Sequence, residues 1–315
     1  MREVFLGEYI KQKRLDMGLT QARLCEGICE PMTVSRLENG QQTPTRPVSK
    51  ALLERLGLPG DRYFALLSDR EAKIKALEDE ITTDSIRCRR APKDEQPDIR
   101  AHALEQLAEL ERITESEDRI TQQYILGRRA YFGTREKMYS GEEQLDMLME
   151  AIRLTVPRFD PEEINNSLYS LDEVQIINQI AVTYSGMGQR KKAADIYRQL
   201  LVYVEKHNQN LSEYGKYFCM IAHNYAIQLG LEKHYADSME LAYKGWDTCV
   251  KYGHYQFLPG FLAILAECCY FMGDIENSKR YYSQAYYIYQ AVKDHRNLQN
   301  IRREMEERLG LQMPL

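Results

Sequence analysis

The sequence has no run of about 18 apolar residues, the shortest length expected of a membrane-spanning helix. Its first stretch, MREVFLGEYIKQKR, is charged from the second residue onward and lacks the apolar segment of a signal peptide. The 7 cysteines are odd in number, and none belongs to a Cys-x-x-Cys pair. Because that spacing does not suit a disulfide framework, we expect a cytoplasmic chain with reduced thiols.

Motifs of catalysis and cofactor binding are also missing. The sequence contains no His-Glu-x-x-His, no glycine-rich phosphate loop and no Gly-x-Ser-x-Gly, and its 6 histidines are scattered. We therefore predict no enzyme activity, no cofactor and no metal site. The net charge of −5 argues against coating of nucleic acid along the whole chain, but residues 1–68 carry a slight basic excess.

Proline and glycine are few, at 10 and 18 residues, and they fall at boundaries between segments of helical periodicity. No alternating strand pattern is bounded by turn residues. The sequence therefore predicts an all-α protein with a small N-terminal domain over residues 1–68. Five helices are expected in it, over 4–17, 20–27, 31–39 and 48–57 and after Pro59.

A linker helix and hinge are predicted over residues 69–99. Residues 69–83 are highly charged and carry a narrow apolar stripe of Ile74, Leu77 and Ile81, which needs a partner helix. Residues 87–97 are polar and bounded by proline, which favours a hinge. The remaining residues, 100–315, are predicted to form a ligand-binding and dimerisation domain.

A repeat is visible in this second domain. Three segments begin at Ile176, Phe218 and Gly260, and each pairs a first helix with a second amphipathic helix. An alanine lies midway along each first helix and a glycine follows at the turn (Ala181, Ala222, Ala266; Gly188, Gly230, Gly273). Tetratricopeptide repeats share this plan at about 34 residues per repeat, so these longer units predict a stack of tetratricopeptide-like helix pairs. A weaker copy at 126–157 and a terminal cap at 291–310 complete the prediction.

The segment TQARLCEGICEPMTVSRLENGQQTP, residues 20–44, has the spacing of a helix-turn-helix. Thr20 is expected to cap the second helix, Gly27 to lie near the helix crossing, and Val34 and Leu37 to point inward. The remaining positions point outward, and Arg36 has the chemistry to contact a guanine in the major groove. The predicted DNA-binding residues are Thr20, Gln21, Pro31, Met32, Thr33, Ser35, Arg36, Gln42, Thr43 and Arg46.

Residues 3–68 resemble the lambda-repressor-like (XRE-type) helix-turn-helix, through KQKRLDMGLTQARLCEGI and TVSRLENGQQTP. The resemblance implies a double-stranded DNA operator as partner, and a structural ion pair between Arg14 and Glu38. Two positions depart from the pattern: Cys25 replaces the usual alanine, and Glu30-Pro31 weakens the cap of the recognition helix.

The combination of this head with helical repeats resembles the RRNPP family of Gram-positive peptide-pheromone receptors (Rgg-, PlcR- and PrgX-like proteins). The resemblance implies a right-handed superhelix that binds a short signalling peptide in its concave face, a homodimer, and peptide-controlled DNA binding in quorum sensing. Amides suit peptide binding because they donate and accept hydrogen bonds at once. The candidate peptide contacts are Asn178, Asn224, His223, Glu267, Tyr184 and Tyr270.

Other interpretations of these residues stay open. The same asparagines would also serve as hydrogen bonds between helices, and the tyrosines as packing residues. The alternative function is a helix-turn-helix repressor or adaptor whose repeats bind a protein partner, which would normally bury a larger surface than a peptide does.

Overall fold

The computed structural model describes residues 6–58, 69–135, 138–207 and 211–311. Within these ranges the chain forms fifteen α-helices and two short 3-10 helices, and it has no β-strand. The predicted all-α class is confirmed. No helix in the described ranges is both long enough and apolar enough to cross a membrane.

Four helices of the described chain form the head: α1 (Leu6–Asp16), α2 (Gln21–Cys25), α3 (Pro31–Glu38) and α4 (Arg46–Arg55). They enclose one small apolar core, made by Ile10, Leu24, Cys25, Val34, Leu37, Leu52, Leu53, Leu56 and Leu58. Thr20 caps α2 as predicted, since its Oγ1 accepts a hydrogen bond of 3.1 Å from the backbone N–H of Arg23. The fifth helix, expected after Pro59, lies outside the described residues.

The body that follows contains eleven helices in the described ranges. They are α5 (Asp69–Arg90), α6 (Gln96–Ile113), α7 (Arg119–Arg135), α8 (Gly141–Thr155), α9 (Leu171–Gly186), α10 (Arg190–His207), α11 (Leu211–Leu231), α12 (Tyr235–Tyr252), α13 (Leu258–Phe271), α14 (Ile275–Ala291) and α15 (His295–Leu309). The two 3-10 helices cover Ile164–Asn166 and Tyr255–Phe257.

The stretch predicted as linker and hinge, 69–99, is almost entirely helical. Helix α5 continues to Arg90 and α6 begins at Gln96, so only the turn between them lacks regular structure. The stripe of Ile74, Leu77 and Ile81 is buried against apolar residues of α6 and α7. The stripe has thus found the partner it needs within the body. The division of the chain at residues 68 and 99 stays a prediction.

The repeats are related by a recurring hydrogen bond. Ser238 Oγ donates to the carbonyl of Ala226, and Ser278 Oγ donates to the carbonyl of Ala266, both at 2.8 Å. Ala226 is therefore the counterpart of Ala266, and the predicted alignment through Ala222 was wrong by one helical turn. Periodicity alone did not separate these two alanines, because both are fully buried on α11.

The stacking of the helices brings the two ends of the body together. Helices α7, α9, α11 and α13 contact one another in sequence and form one continuous layer. The predicted cap, α15, packs on α14 through Ile301 and Met305 and also touches α5. The C-terminal end of the stack is therefore in direct contact with α5, the first helix of the body.

Candidate functional site

The outer face of α3 is open to solvent. Val34 and Leu37 point into the core of the head, while Met32 is 61% exposed and Arg36 is exposed. The other residues predicted to contact DNA from this side are exposed or half-exposed as well: Thr20, Pro31, Thr33, Ser35, Gln42 and Thr43. None of the described residues of the body covers this face, so a groove of DNA has room to approach it.

A buried ion pair holds α1 against α3. Arg14 Nε and Nη2 donate to Glu38 Oε1 and Oε2 at 2.6 and 2.9 Å, which confirms the pair implied by the family resemblance. Burial opposes ionisation of Glu38, but the hydrogen bond from Arg14 keeps its pKa below the ordinary value. Gln21 Nε2 also donates to Glu38 Oε2, at 2.8 Å. The amide nitrogen of Gln21 is thus already engaged, and its phosphate contact stays a prediction.

Arg46 differs from the other predicted DNA contacts. It begins α4 and lines a cavity between the head and the body, together with Pro47 and Lys50. Its role as a phosphate contact also stays a prediction.

The head contacts the body through Arg55 on α4, and the contact around this residue is called the junction from here on. Its guanidinium donates to the carbonyls of Leu24 and Glu26 within the head, at 3.0 and 2.8 Å. It also donates to the carbonyl of Thr155 and to Oε1 of Glu173 in the body, at 3.1 and 3.3 Å. The side chains of Arg55 and Glu173 are only 2% and 1% exposed. This ion pair is therefore fully withdrawn from water.

Glu173 gathers several elements around one carboxylate. Its Oε1 accepts from Thr155 Oγ1 at 2.5 Å, and Thr155 in turn accepts from Gln123 on α7. Its Oε2 accepts from the backbone N–H of Ser170, which makes Glu173 part of the capping box of α9. A shift of the head against Glu173 would therefore be felt at α7, α8 and α9 together.

Gly27 allows the head to approach the body closely. Its φ of +76° is in the left-handed region, and a β-carbon on it would lie 1.8 Å from the carbonyl oxygen of Thr155. The sequence predicted a small residue near the helix crossing. The structure shows that the glycine is needed instead for the turn itself and for contact with α8.

Further contacts surround this junction. Glu54 Oε2 accepts from the backbone N–H of Leu171 at 3.0 Å, and Lys50 lies 3.5 Å from Asp172. Arg23 donates to the carbonyl of Asn166. The first turn of α9 is thus held by charged residues of α4.

A cavity of about 80 Å³ remains beside the junction, between α4, α5, α7 and α9. Such a volume accommodates several water molecules, so the packing of head on body is incomplete here. Glu78 lines the cavity, and burial, aided by the charge of Asp172, raises its pKa to about 7 against the opposing charges of Lys50 and Lys75. The protonation of Glu78 therefore changes near neutral pH.

The layer formed by α7, α9, α11 and α13, called the inner layer from here on, carries a first polar cluster. Asn224 Nδ2 donates to Asn178 Oδ1 at 3.0 Å, which links α11 to α9. His223 Nδ1 lies 3.5 Å from Asn224 Oδ1, and burial lowers the pKa of His223, so its ring is neutral at pH 7. Gly260 on α13 makes room for this ring, because a β-carbon there would lie 2.5 Å from Nε2. The cluster brings together three of the predicted peptide contacts.

A second polar cluster lies on α13, α14 and α15. Arg308 Nη2 donates to Glu267 Oε1 at 2.6 Å, and its Nη1 donates to the hydroxyl of Tyr282 at 2.5 Å. The guanidinium also lies 5.9 Å from the ring centre of Tyr270. The predicted residues Glu267 and Tyr270 are therefore joined by Arg308, which the sequence did not indicate.

Tyr184 does not join either cluster. It packs against the core of the stack, and the ammonium of Lys192 on α10 lies 5.3 Å from its ring centre. The structure places this tyrosine in the packing of α9 on α10, and its contact with a ligand stays a prediction.

Comparison with known proteins agrees with this description of the head. A family model described as "Helix-turn-helix" matches residues 10–62. Residues 10–62 are a helix-turn-helix domain. The helix-turn-helix domain ends within the stretch that the sequence assigned to the head, and its recognition helix is α3. No curated protein matches the chain.

Solved structures share the fold of nearly the whole chain. PlcR from Bacillus thuringiensis, in complex with the peptide PapR7 and DNA, is 20% identical with a TM-score of 0.61, over 94% of this chain and 98% of PlcR. Apo PlcR is 17% identical with a TM-score of 0.58, over 93% and 98%. ComR from S. thermophilus, in complex with DNA and its signalling peptide ComS, is 15% identical with a TM-score of 0.52, over 97% and 99%. The predicted resemblance to this fold is confirmed.

The sequence contained one overlooked signal for the junction. Glu54 and Arg55 interrupt the apolar run ALLERLGL, residues 51–58, and charged residues within such a run need partners. Arg308 left no such signal, because it lies in a segment that is charged on most of its faces.

We expect substitution at the junction to be costly. Arg55→Met leaves Glu173 charged and buried without its partner, and should lower the free energy of unfolding by about 3–5 kcal/mol. Adding Glu173→Gln should recover part of that loss, with a coupling energy of about 0.5–3 kcal/mol. Denaturant unfolding of the full chain measures each value. Arg158→Met is the matched control, because Arg158 pairs with Glu26 at the edge of the same junction but is 87% exposed. Equal losses for Arg55→Met and Arg158→Met would contradict a buried junction.

Glu78 should make stability depend on pH. Its pKa is raised from 4.5 to about 7 in the folded chain, so folding favours the protonated form. Stability relative to Glu78→Gln should therefore be greatest at low pH and fall as pH rises through 7, by about 2 kcal/mol between about pH 5 and about pH 8. Parallel denaturant titrations of both proteins test this. A constant difference between the two across the range would show that Glu78 ionises normally.

Proposed function

We propose that the protein is a cytoplasmic, sequence-specific transcription regulator that binds double-stranded DNA through its head and a short signalling peptide through its body. The peptide would control DNA binding by a homodimer. One observation carries this proposal: a helix-turn-helix domain with an open outer face on α3 is joined, through a buried junction, to a stack of helix pairs with polar clusters on its inner layer.

The solved structures of the same fold support the choice of ligands. PlcR is described in complex with a peptide and DNA, and ComR in complex with DNA and its signalling peptide. Asn224 is half-buried and Asn178 is 6% exposed, and their amides have the chemistry that suits the backbone of an extended peptide. Glu267 and Arg308 add one charge of each sign. The proposed peptide contacts are Asn178, His223, Asn224, Glu267 and Tyr270.

The described contacts form a continuous path from the body to the head. Glu267 on α13 pairs with Arg308 on α15, and α15 touches α5. Helix α5 lines the junction cavity with Ile74 and Glu78. A peptide that competes with Arg308 for Glu267 would disturb α15. Because α15 touches α5, it would also disturb the contact of α4 with the body.

Control of DNA binding then follows from geometry. The two heads of a dimer must meet half-sites about one DNA turn apart, so a small rotation at the junction changes the affinity. A peptide exerts this control only if it binds one arrangement more tightly than the other. The cavity between α4 and α5 gives the head space for such a rotation.

The direct experiment is native mass spectrometry of the full chain purified from its own host, followed by fragmentation of any small species that is released. A bound peptide of a few residues is the expected result. A dimer that carries a second protein, with no peptide, would favour the adaptor function and contradict the proposal.

Arg36 should contribute to reading of the DNA sequence. Arg36→Ala removes a bidentate donor from the open face of α3, and we expect a loss of about 1–3 kcal/mol in specific binding. The probe is a duplex selected by the unmodified protein from a random library, and affinity is measured by fluorescence anisotropy. Arg303→Ala, on the exposed surface of α15, controls for the loss of one positive charge. If both variants bind equally well, Arg36 does not contact a base.

Asn178 should affect the ligand and not the DNA. Asn178→Ala removes the acceptor for Asn224 and one amide from the inner layer, so less peptide should remain bound during purification while DNA binding by the free protein persists. Asn178→Asp keeps an acceptor for Asn224 and serves as the control for folding. Loss of secondary structure in Asn178→Ala, with normal peptide retention in Asn178→Asp, would assign Asn178 a purely structural role.

A further inference from the structure

The junction cavity has walls from both the head and the body. It lies between α4, α5, α7 and α9 and has a volume of about 80 Å³. Sites for small molecules are typically apolar concavities between domains, with a few polar groups that fix the ligand. The apolar part of this wall comes from the turn after α2 and from α4 in the head, and from α5 and α7 in the body (Ile28, Pro47, Ala51, Ile74, Ile120 and the ring of Tyr124).

Three of the four carboxylates that line the cavity already have partners. Glu173 accepts a hydrogen bond from Arg55 of the head. Glu54 and Asp172 lie 3.6 and 3.5 Å from the ammonium of Lys50, which lies between them. Because burial of a carboxylate is unfavourable unless a donor or a cation satisfies it, these three acids are satisfied within the chain.

Glu78 on α5 is the fourth carboxylate, and it differs from the others. Within the described ranges, no side chain or backbone N–H donates a hydrogen bond to its carboxylate, and no cation forms an ion pair with it. The hydroxyl of Tyr124 donates to the backbone carbonyl of Glu78 instead, at 3.2 Å. Lys75, one turn earlier on α5, pairs with Asp79 at 2.6 Å. Glu78 therefore brings a half-buried carboxylate to the cavity without a donor from the described chain.

The charged groups around Glu78 do not take the place of a direct partner. Burial and the charge of Asp172 raise the pKa of Glu78 to about 7, against the opposing charges of Lys50 and Lys75. A cation in direct contact would favour the ionised form. The titratable and charged groups that line the cavity with Glu78 are Arg46, Lys50 and Glu54 from α4, Lys75 from α5, Tyr124 from α7, and Asp172 and Glu173 from α9.

We propose that the junction cavity is a binding site for a short-chain primary amine, whose ammonium group pairs with the carboxylate of Glu78 while its alkyl chain lies against Ile74, Ile120 and the ring of Tyr124. An alkylammonium matches both features of the cavity, because it carries one charge with three donors on an apolar stem. This proposal goes beyond the proposed function and does not rest on it.

The size of the cavity limits the length of the amine. A cavity of about 150 Å³ admits the six carbons of benzene, so the volume of about 80 Å³ suits a ligand of about four non-hydrogen atoms. Propylammonium has this size. Its chain would contact the head and the body at once, so its binding would stabilise their contact.

The chemistry of the cavity disfavours other ligands. An anion would be repelled by Glu78, and a neutral molecule would leave its charge without a partner. A metal ion would need several ligands, and the described residues contain no group of three or more His, Cys, Asp or Glu that could hold one.

The test uses the full chain with ¹³C-labelled isoleucine methyl groups, because Ile28, Ile74 and Ile120 all line the cavity. Propylammonium chloride is titrated at about pH 8, where Glu78 is mostly ionised, against sodium chloride at equal concentration. The three methyl signals should shift with a dissociation constant of about 1 mM, and Ile196, buried on α10, should not respond. 1-Propanol, which lacks the charge, should bind at least about tenfold more weakly.

Variants and pH then assign the contact to Glu78. Glu78→Gln keeps the size of the side chain and removes its charge, so propylammonium should bind at least about tenfold more weakly. Asp79→Asn is the matched control, because it removes the neighbouring carboxylate of α5, which is 63% exposed, and should leave binding unchanged. A change from about pH 8 to about pH 5 should also weaken binding at least about tenfold in the unmodified chain, because a proton competes for Glu78.

Several results would overturn the proposal. These are unchanged cavity methyl signals at about 50 mM propylammonium, equal binding of 1-propanol, or equal binding by Glu78→Gln. Tighter binding of Nα-acetyl-lysine methylamide than of propylammonium would assign the site to a lysine side chain of a partner, and would overturn the assignment to a small amine. None of these results depends on DNA or on a signalling peptide, so failure here is distinguishable from failure of the proposed function.

Discussion

The carboxylate of Glu173 is the point on which the arrangement of head and body depends. It caps its own helix, accepts from Thr155 and meets the guanidinium of Arg55 from the head. A buried ion pair contributes little net stability, because desolvation of both charges offsets their attraction. Its value here is geometric, since few positions of the head satisfy Arg55, Glu173 and the carbonyl of Thr155 at once. The recognition helix is therefore presented by the body in one orientation, with its outer face open.

The head is tightly packed against the body on one side and loosely packed on the other. Arg55 and Gly27 are in tight contact with α8 and α9, whereas the neighbouring cavity separates α4 from α5. Such an arrangement leaves unfilled space on the side of the head that faces α5. Helix α5 is in turn touched by α15, which carries Arg308 and so holds Glu267 on the inner layer. These contacts connect the inner layer of the body with the surface against which the head packs.

The sequence revealed the parts of the protein that rest on local patterns. The four described helices of the head and the cap at Thr20 follow from short-range spacing, and the ion pair of Arg14 with Glu38 was implied by the resemblance to the lambda-repressor-like helix-turn-helix; all of these are present. Contacts between distant segments were harder to predict. The pairing of Arg55 with Glu173 joins residues 118 positions apart, and Arg308 meets Glu267 across 41 positions. The two alanines of α11 are both fully buried, so only the hydrogen bond from Ser238 distinguished them.

The most direct test of coupling between the inner layer and the head is amide hydrogen exchange at Leu171, in the full chain with its co-purified ligand and again after the ligand has been removed. The N–H of Leu171 is in the first turn of α9 and donates to Glu54 of the head. Its exchange rate therefore reports the stability of the contact between head and body. We expect the two states to differ in exchange at Leu171 and at Gly27, with the buried core of α4 unchanged. Identical exchange at Leu171 in both states would contradict coupling between the inner layer and the head.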